Sequence, residues 1–191
     1  CRTAAVIGPV VHEEMAEVAG YRWVVQHPRF SWWFRRVGCT NADLENVTML
    51  ISSGSLFDLA MWSWLKGFDD GLFIDYVDVD YCLKVLRAGR SVAVSAGAVL
   101  HHRLGKRRKV RVLGQEFRPM GHAAFRHYYM ARNRCIMWRR HALAVPHWAM
   151  FDLAFGVLNT TRVMAFEDAR FSKICMMFRG MWDGLRGLRG P

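Results

Sequence analysis

The stretch LFIDYVDVDYCLKVLRAG, residues 72–89, decides how the chain is read. It places three carboxylates, Asp75, Asp78 and Asp80, within six positions and then turns helical. Val79, Leu83 and Leu86 lie about one turn apart, as do Asp80, Leu83 and Arg87. The acids therefore fall where a loop meets a helix N-terminus. Free N–H groups and the helix dipole favour negative charge there. Such a cluster can collect a cation, take up a proton, or simply cap the helix.

Upstream, Val47–Ile51 is an apolar, β-rich run that reads as a strand. Ser52-Ser53-Gly54-Ser55 ends it abruptly. Small-residue turns at strand ends are where α/β folds place ligands, although an ordinary tight turn has the same composition. Residues 57–66 predict a helix with Leu59, Trp62 and Leu65 on one face and Gly67 just past its end. Residues 3–11, TAAVIGPVV, read as a buried strand. Residues 21–37 are aromatic and basic and are interrupted by Pro28, which predicts a loop or short hairpin. Trp32 and Trp33 there form either a packing cluster or a substrate-facing wall. Residues 41–46 read as a turn or short helix.

Downstream, Ser91–Leu100 predicts a strand that runs into His101 and His102. A helix and a returning strand separate these histidines from the acids. A parallel crossover can bring both groups to one edge of a sheet. A carboxylate and an imidazole placed there can share a divalent cation or act as base and ligand.

Of 191 residues, 52% are hydrophobic, enough for a substantial core. Residues 1–100 hold 9 Lys/Arg and 11 Asp/Glu; residues 101–191 hold 18 and 5, a net +13. The basicity belongs to the C-terminal half, which points to an anionic partner. KRRKVR, residues 106–111, reads as a solvated loop or an anion contact. Five scattered cysteines without a CxxC pair argue against a disulfide framework or zinc site and fit a reducing compartment. The first residues lack the pattern of a signal peptide. Residues 122–140 read as a helix. The apolar stretch Pro146–Phe166 contains Asp152 and Arg162, so it is not a clean membrane span.

The last segment carries an apolar stripe of Phe171, Ile174/Cys175, Phe178, Met181/Trp182, Leu185 and Leu188. Its arginines lie off that stripe, and Gly180, Gly184, Gly187 and Gly190 fall on another face. Interior glycines cost a helix about 1 kcal/mol each relative to alanine. The expectation is a helix that frays in water and is ordered by what it binds. Packing on the protein's own core and docking on a membrane surface both fit its stripe.

Taken together, these residues resemble a known family. Ile51-Ser52-Ser53-Gly54-Ser55-Leu56, Gly67-Phe68-Asp69, Asp75-Tyr76-Val77-Asp78-Val79-Asp80, Cys82-Leu83-Lys84, Ala88-Gly89, Ala98 with His102 and Gly105, Arg126-His127-Tyr128-Tyr129 and Arg132-Asn133 are similar to the second half of a family 2 glycosyltransferase of the GT-A fold. The tail, with Phe166-Glu167, Lys173, Gly180 and Asp183-Gly184, continues it. The wording is most similar to the rhamnosyltransferase branch, which builds O-antigen and related bacterial surface polysaccharides.

The resemblance implies a partial GT-A α/β fold with a mixed sheet over residues 1–105, followed by a basic amphipathic helical region over 106–191. It implies inverting transfer of a sugar, L-rhamnose from dTDP-rhamnose being one donor, to a glycan or lipid-linked acceptor. Asp78 would be the general base, with Val77 standing where the family's motif has Glu. His102 would help hold a metal–diphosphate group with Mg²⁺ or Mn²⁺. Ser53, Gly54 and Ser55 would line the sugar and acceptor pocket, and Asp75, Asp80 and Arg132 would add substrate contacts. The expected location is cytoplasmic, peripheral on the inner face of the cell membrane against an anionic surface, with nucleic acid not a partner. The family's nucleotide-binding half, with its DxD metal motif, has no counterpart, so the chain reads as a fragment with little activity of its own. The competing readings are a nucleic-acid-binding or membrane-surface interaction module, and a metal hydrolase built on Asp78, Asp80 and His102.

Overall fold

The computed structural model describes residues 4–13, 21–39, 41–102, 110–112, 115–117 and 121–191. The KRRKVR run lies mostly outside the described residues. The fold is mixed α/β. Its central sheet has three strands in the order β4-β1-β5. Strand β1 (Ala4–Glu13) pairs in parallel with β5 (Ser91–His102) and antiparallel with the short β4 (Leu56–Phe57). Strands β2 (Arg22–Gln26) and β3 (Phe34–Gly38) form a separate hairpin. A second small hairpin joins β6 (Val110–Val112) and β7 (Gln115–Phe117).

The long parallel pair carries a break. The register steps from Pro9↔Ser95 to Val10↔Val99, so three residues of β5 bulge out. Proline has no N–H to donate to a ladder, and it tolerates this position for that reason. The Ala96 N–H donates instead to the Asp43 carboxylate at 2.8 Å.

Helix α1 (Leu59–Trp64) is shorter than the expected 57–66, because Phe57 is used in β4 and Asp58 caps the helix by accepting from the Met61 N–H. Gly67 has φ +57, and a Cβ there would sit 2.7 Å from the Trp62 ring, so only glycine fits the turn. Val47–Ile51 is not a strand. Val47 donates to the Val92 carbonyl and Thr48 to the Val24 carbonyl, so the segment bridges sheet and hairpin without a ladder of its own. Its apolar content reflects burial, with Val47 and Thr48 fully enclosed. The 21–37 region is the β2–β3 hairpin, with Trp32 and Trp33 exposed near its turn.

Helix α2 (Val77–Arg87) lies between two cores. Tyr81, Cys82 and Val85 join β1, β5 and β2 in the first. Leu83 joins Leu72, Ile136, Met137 and Trp148 in the second, which spans helices α3 (Ala124–His141) and α4 (Pro146–Phe166). This second core crosses residue 105, the expected boundary between the two parts. Gly89, at φ +73, ends α2 and turns the chain into β5.

The final helix, α5 (Arg170–Leu185), departs from the expectation of fraying. A Cβ at Gly180 would lie 2.2 Å from the Tyr128 carbonyl oxygen, and one at Gly184 would lie 2.4 Å from that of Arg132. The glycines are the contact with α3, and backbone-to-backbone approach replaces the entropy they cost. Beyond the helix, the Gly190 N–H donates to Gly71 at 2.8 Å, and Arg189 pairs with Asp69. No helix among the described residues is long and apolar enough to cross a membrane.

Candidate active site

A cleft of about 930 Å³ opens over the N-terminus of α2. Ser52, Asp75, Tyr76, Asp78, His122, Arg126 and Asp152 are its polar lining, and Met49, Phe73, Trp148, Phe151 and Phe155 are among its apolar walls. The mixture suits a ligand that offers both hydroxyls and apolar faces.

The approach to α2 is strained. Phe73, Asp75 and Tyr76 have φ of 63°, 61° and 65°, a left-handed backbone that non-glycine residues rarely adopt. Side chains of α3 and α4 hold it there. The Asn133 amide, fully buried, donates to the carbonyls of Leu72 and Ile74 at 2.8 Å each, with Asp75 at 3.2 Å. The Tyr76 hydroxyl donates to Asp152 at 2.6 Å. Asp152 also accepts from Arg134 at 2.9 Å and Trp138 at 2.8 Å. Burial, with the Asp152 carboxylate beside it, pushes the Tyr76 hydroxyl well above its ordinary value, so it stays a donor.

The three acids of residues 75–80 have separate surroundings. Asp78 is half-buried at the cleft wall. One oxygen accepts from the Ser52 N–H at 3.3 Å and the other from the Val79 N–H at 2.9 Å. Burial raises its pKa; the hydrogen bonds from Ser52 and Val79 oppose this, and nearby Asp75 adds to it. A carboxylate shifted this way is a better proton acceptor than an exposed one. Asp75 also lines the cleft, but both its oxygens are held by the Arg126 guanidinium at 2.8 and 2.9 Å. Asp80 does not line the cleft. It is fully buried between α2 and α3, with His141 at 2.9 Å, Lys84 at 2.8 Å and Arg140 at 3.3 Å. Burial acts to raise its pKa, but His141 and Lys84 outweigh that and hold it at about 2.

Arg132, expected to contact substrate, is also buried away from the cleft. It donates to the carbonyls of Gly71, Leu72 and Gly190, and its guanidinium stacks 4.8 Å from the Tyr129 ring centre. Its place is to fasten the 71–72 backbone and the tail to α3. Of the serine-rich turn, Ser52 is the member on the cleft wall, and its N–H meets Asp78. Ser53 and Gly54 are exposed, and Ser55 closes the turn by donating to Ile51 at 2.7 Å.

A Cβ on Gly54 would lie 3.2 Å from Pro9 and 3.6 Å from Leu100, so the turn that touches Asp78 rests on the carboxyl-side half of the β1–β5 pair. The backbone of His102 ends β5 at that edge, opposite Glu13; its side chain lies outside the described residues. The His101 ring lies tilted beside that of His12, with centroids 5.8 Å apart. Among the described residues no group of three or more His, Cys, Asp or Glu could hold a metal. Asp75 is paired with Arg126 and Asp80 is held in its buried network.

Of the polar cleft residues, Ser52, Tyr76, His122, Arg126 and Asp152 were not singled out from the sequence as site residues. Arg126 clamps Asp75, and His122 approaches Arg126 at 3.5 Å. Burial and the Arg126 charge depress the His122 pKa, which favours the neutral ring. His122 precedes Ala123, the N-cap residue of α3, so helical spacing did not announce the pair.

The chain is similar to dTDP-rhamnosyl transferase RfbF of Shigella flexneri: 27% identical over 143 residues, covering 75% of this chain and 47% of that protein. It thus spans about half the length of this curated relative. No family model and no solved structure matches it. The match supports a relationship to rhamnosyltransferase-like glycosyltransferases.

Proposed function

We propose that the chain carries the acceptor-activating part of an inverting glycosyltransferase, with Asp78 as the general base. One observation supports the reading: a single carboxylate of the acidic stretch, Asp78, faces the cleft without a cationic partner in hydrogen-bond contact among the described residues, and burial raises its pKa. The similarity to a dTDP-rhamnosyl transferase makes dTDP-rhamnose the donor to try first. A glycan or lipid-linked acceptor would enter the cleft with its hydroxyl at Asp78. That oxygen attacks the anomeric carbon as the proton passes to Asp78, and the nucleotide diphosphate leaves from the opposite face. Arg126 and Asp75 shape the polar side of the cleft, and the aromatic residues cover the sugar's apolar face. The roles of Ser53, Gly54, Ser55 and His102, and of Mg²⁺ or Mn²⁺, belong to this proposal, and no step here is routed through the cation.

The test is sugar transfer from dTDP-rhamnose, measured on the complete protein. Asp78→Asn keeps the size of the side chain and removes the proton acceptor. Its turnover is expected to fall by about 10²–10⁴-fold, the range of general-base contributions. Turnover close to that of the unaltered protein would sink the assignment.

A further inference from the structure

The glycine face of α5 is turned onto α3, and its apolar stripe therefore points away from the protein. Phe171 is 79% exposed, Phe178 64%, Trp182 63% and Leu185 62%. On a helical wheel these residues lie opposite Gly180 and Gly184, the two positions where backbone meets backbone. Contiguous exposed apolar faces of this kind mark interaction sites.

Two further observations narrow the occupant. The stripe is edged with cations: Arg170, Arg179 and Arg186 are exposed, and the Arg179 side chain is 73% accessible although it approaches Asp183 at 4.0 Å. The surrounding half of the chain has a net +13, and three of its five acids are engaged internally: Asp152 with Arg134, Glu167 with Lys173, and Asp183 with Tyr128. The stripe also adjoins a crevice of about 250 Å³ between α3, α4 and α5, walled by Met130, Met164, Ile174, Met177, Phe178 and Met181. Unbranched methionine chains adapt to flexible apolar guests.

We infer that the outward face of α5, with the crevice beside it, docks on an anionic phospholipid surface. Phe178, Trp182 and Leu185 enter the boundary between headgroups and acyl chains, the arginines reach lipid phosphates, and the crevice receives the end of an acyl chain. A second copy fits less well, because symmetric pairing would bring the arginine edges together. The inference concerns vesicle binding and stands apart from the role given to Asp78.

The experiment is flotation of the full chain with phosphatidylcholine vesicles, with and without phosphatidylglycerol. Binding is expected with the anionic vesicles and is expected to weaken as salt rises. The triple variant Phe178→Ser/Trp182→Ser/Leu185→Ser alters only outward side chains, so its circular dichroism should be unchanged while vesicle affinity falls about tenfold or more. Trp182→Phe should keep binding but lose most of the blue shift in tryptophan emission, an internal check that does not depend on the triple variant. Undiminished binding of the triple variant, or an emission shift that survives Trp182→Phe, overturns the inference. So does self-association or RNA retention that the triple variant abolishes, since either would assign the stripe to a different occupant.

Discussion

The side-chain amide of Asn133 donates to the backbone carbonyl of Ile74 at 2.8 Å, from the middle of α3 to the loop that carries the acids. A buried amide thus holds a left-handed segment that its own residues would not choose. Asn133→Ala leaves the carbonyls of Leu72 and Ile74 without this partner. The expected cost is about 1–3 kcal/mol of stability, the usual penalty for orphaned buried polar groups, measured by urea unfolding. Leu72 is buried beneath the loop, so the variant should also lose proteolytic resistance around residues 72–76.

The α3–α5 contact predicts a sharp contrast between glycines. Gly180→Ala drives a methyl into the Tyr128 backbone, which cannot move aside as a side chain could. A loss of about 3 kcal/mol is expected, at the upper end of overpacking effects. Gly38→Ala meets nothing within 4 Å and should change stability by less than about 0.5 kcal/mol. Equal thermal shifts for the two would contradict the packing described.

Asp80 makes stability depend on pH in acid. Its folded pKa of about 2 lies below the ordinary 3.8, so the unfolded chain binds its proton first. The stabilisation is complete above pH 3.8 and is lost as pH falls through about 2. It amounts to roughly 2 kcal/mol at neutral pH. Asp80→Asn should lower stability at pH 7, by about 3 kcal/mol or more once Lys84 and His141 are left facing an uncharged group. Its urea midpoint should also vary less between pH 4 and pH 2 than that of the unaltered protein.

Asp75 lies close enough to raise the Asp78 pKa, and Arg126 pairs with Asp75. If Asp78 is the base, activity rises with pH as Asp78 loses its proton, and that limb lies above the ordinary carboxylate value of 3.8 because burial raises it. Arg126→Gln leaves the Asp75 charge uncompensated beside Asp78, and like charge favours the protonated form. The acidic limb of kcat/KM should move to higher pH in this variant. A shift to lower pH, or none, would argue that Asp75 does not act on Asp78.

The main pieces of the fold were legible in the chain because they rest on local pattern. The β1 and β5 strands, the α2 helix with its acids at the start, the Gly67 turn and the helices α3 and α5 follow from periodicity and from glycine's tolerance of positive φ. Val47–Ile51 was misleading, since an apolar run records burial and not the partner that causes it. The same limit applied to the site. Asp75, Asp78 and Asp80 look alike in one dimension, and α3 helps to separate them, by offering Arg126 to the first and His141 to the third.

Sequence alone determined that negative charge gathers at one helix start and that the last helix has an apolar stripe and a glycine face. Tertiary structure decided which carboxylate faces the cleft, and which face of α5 is covered. The reason is the same in both cases: a side chain's environment is set by elements distant in sequence. A spacing of three or four residues fixes only which residues share a face, not what that face meets.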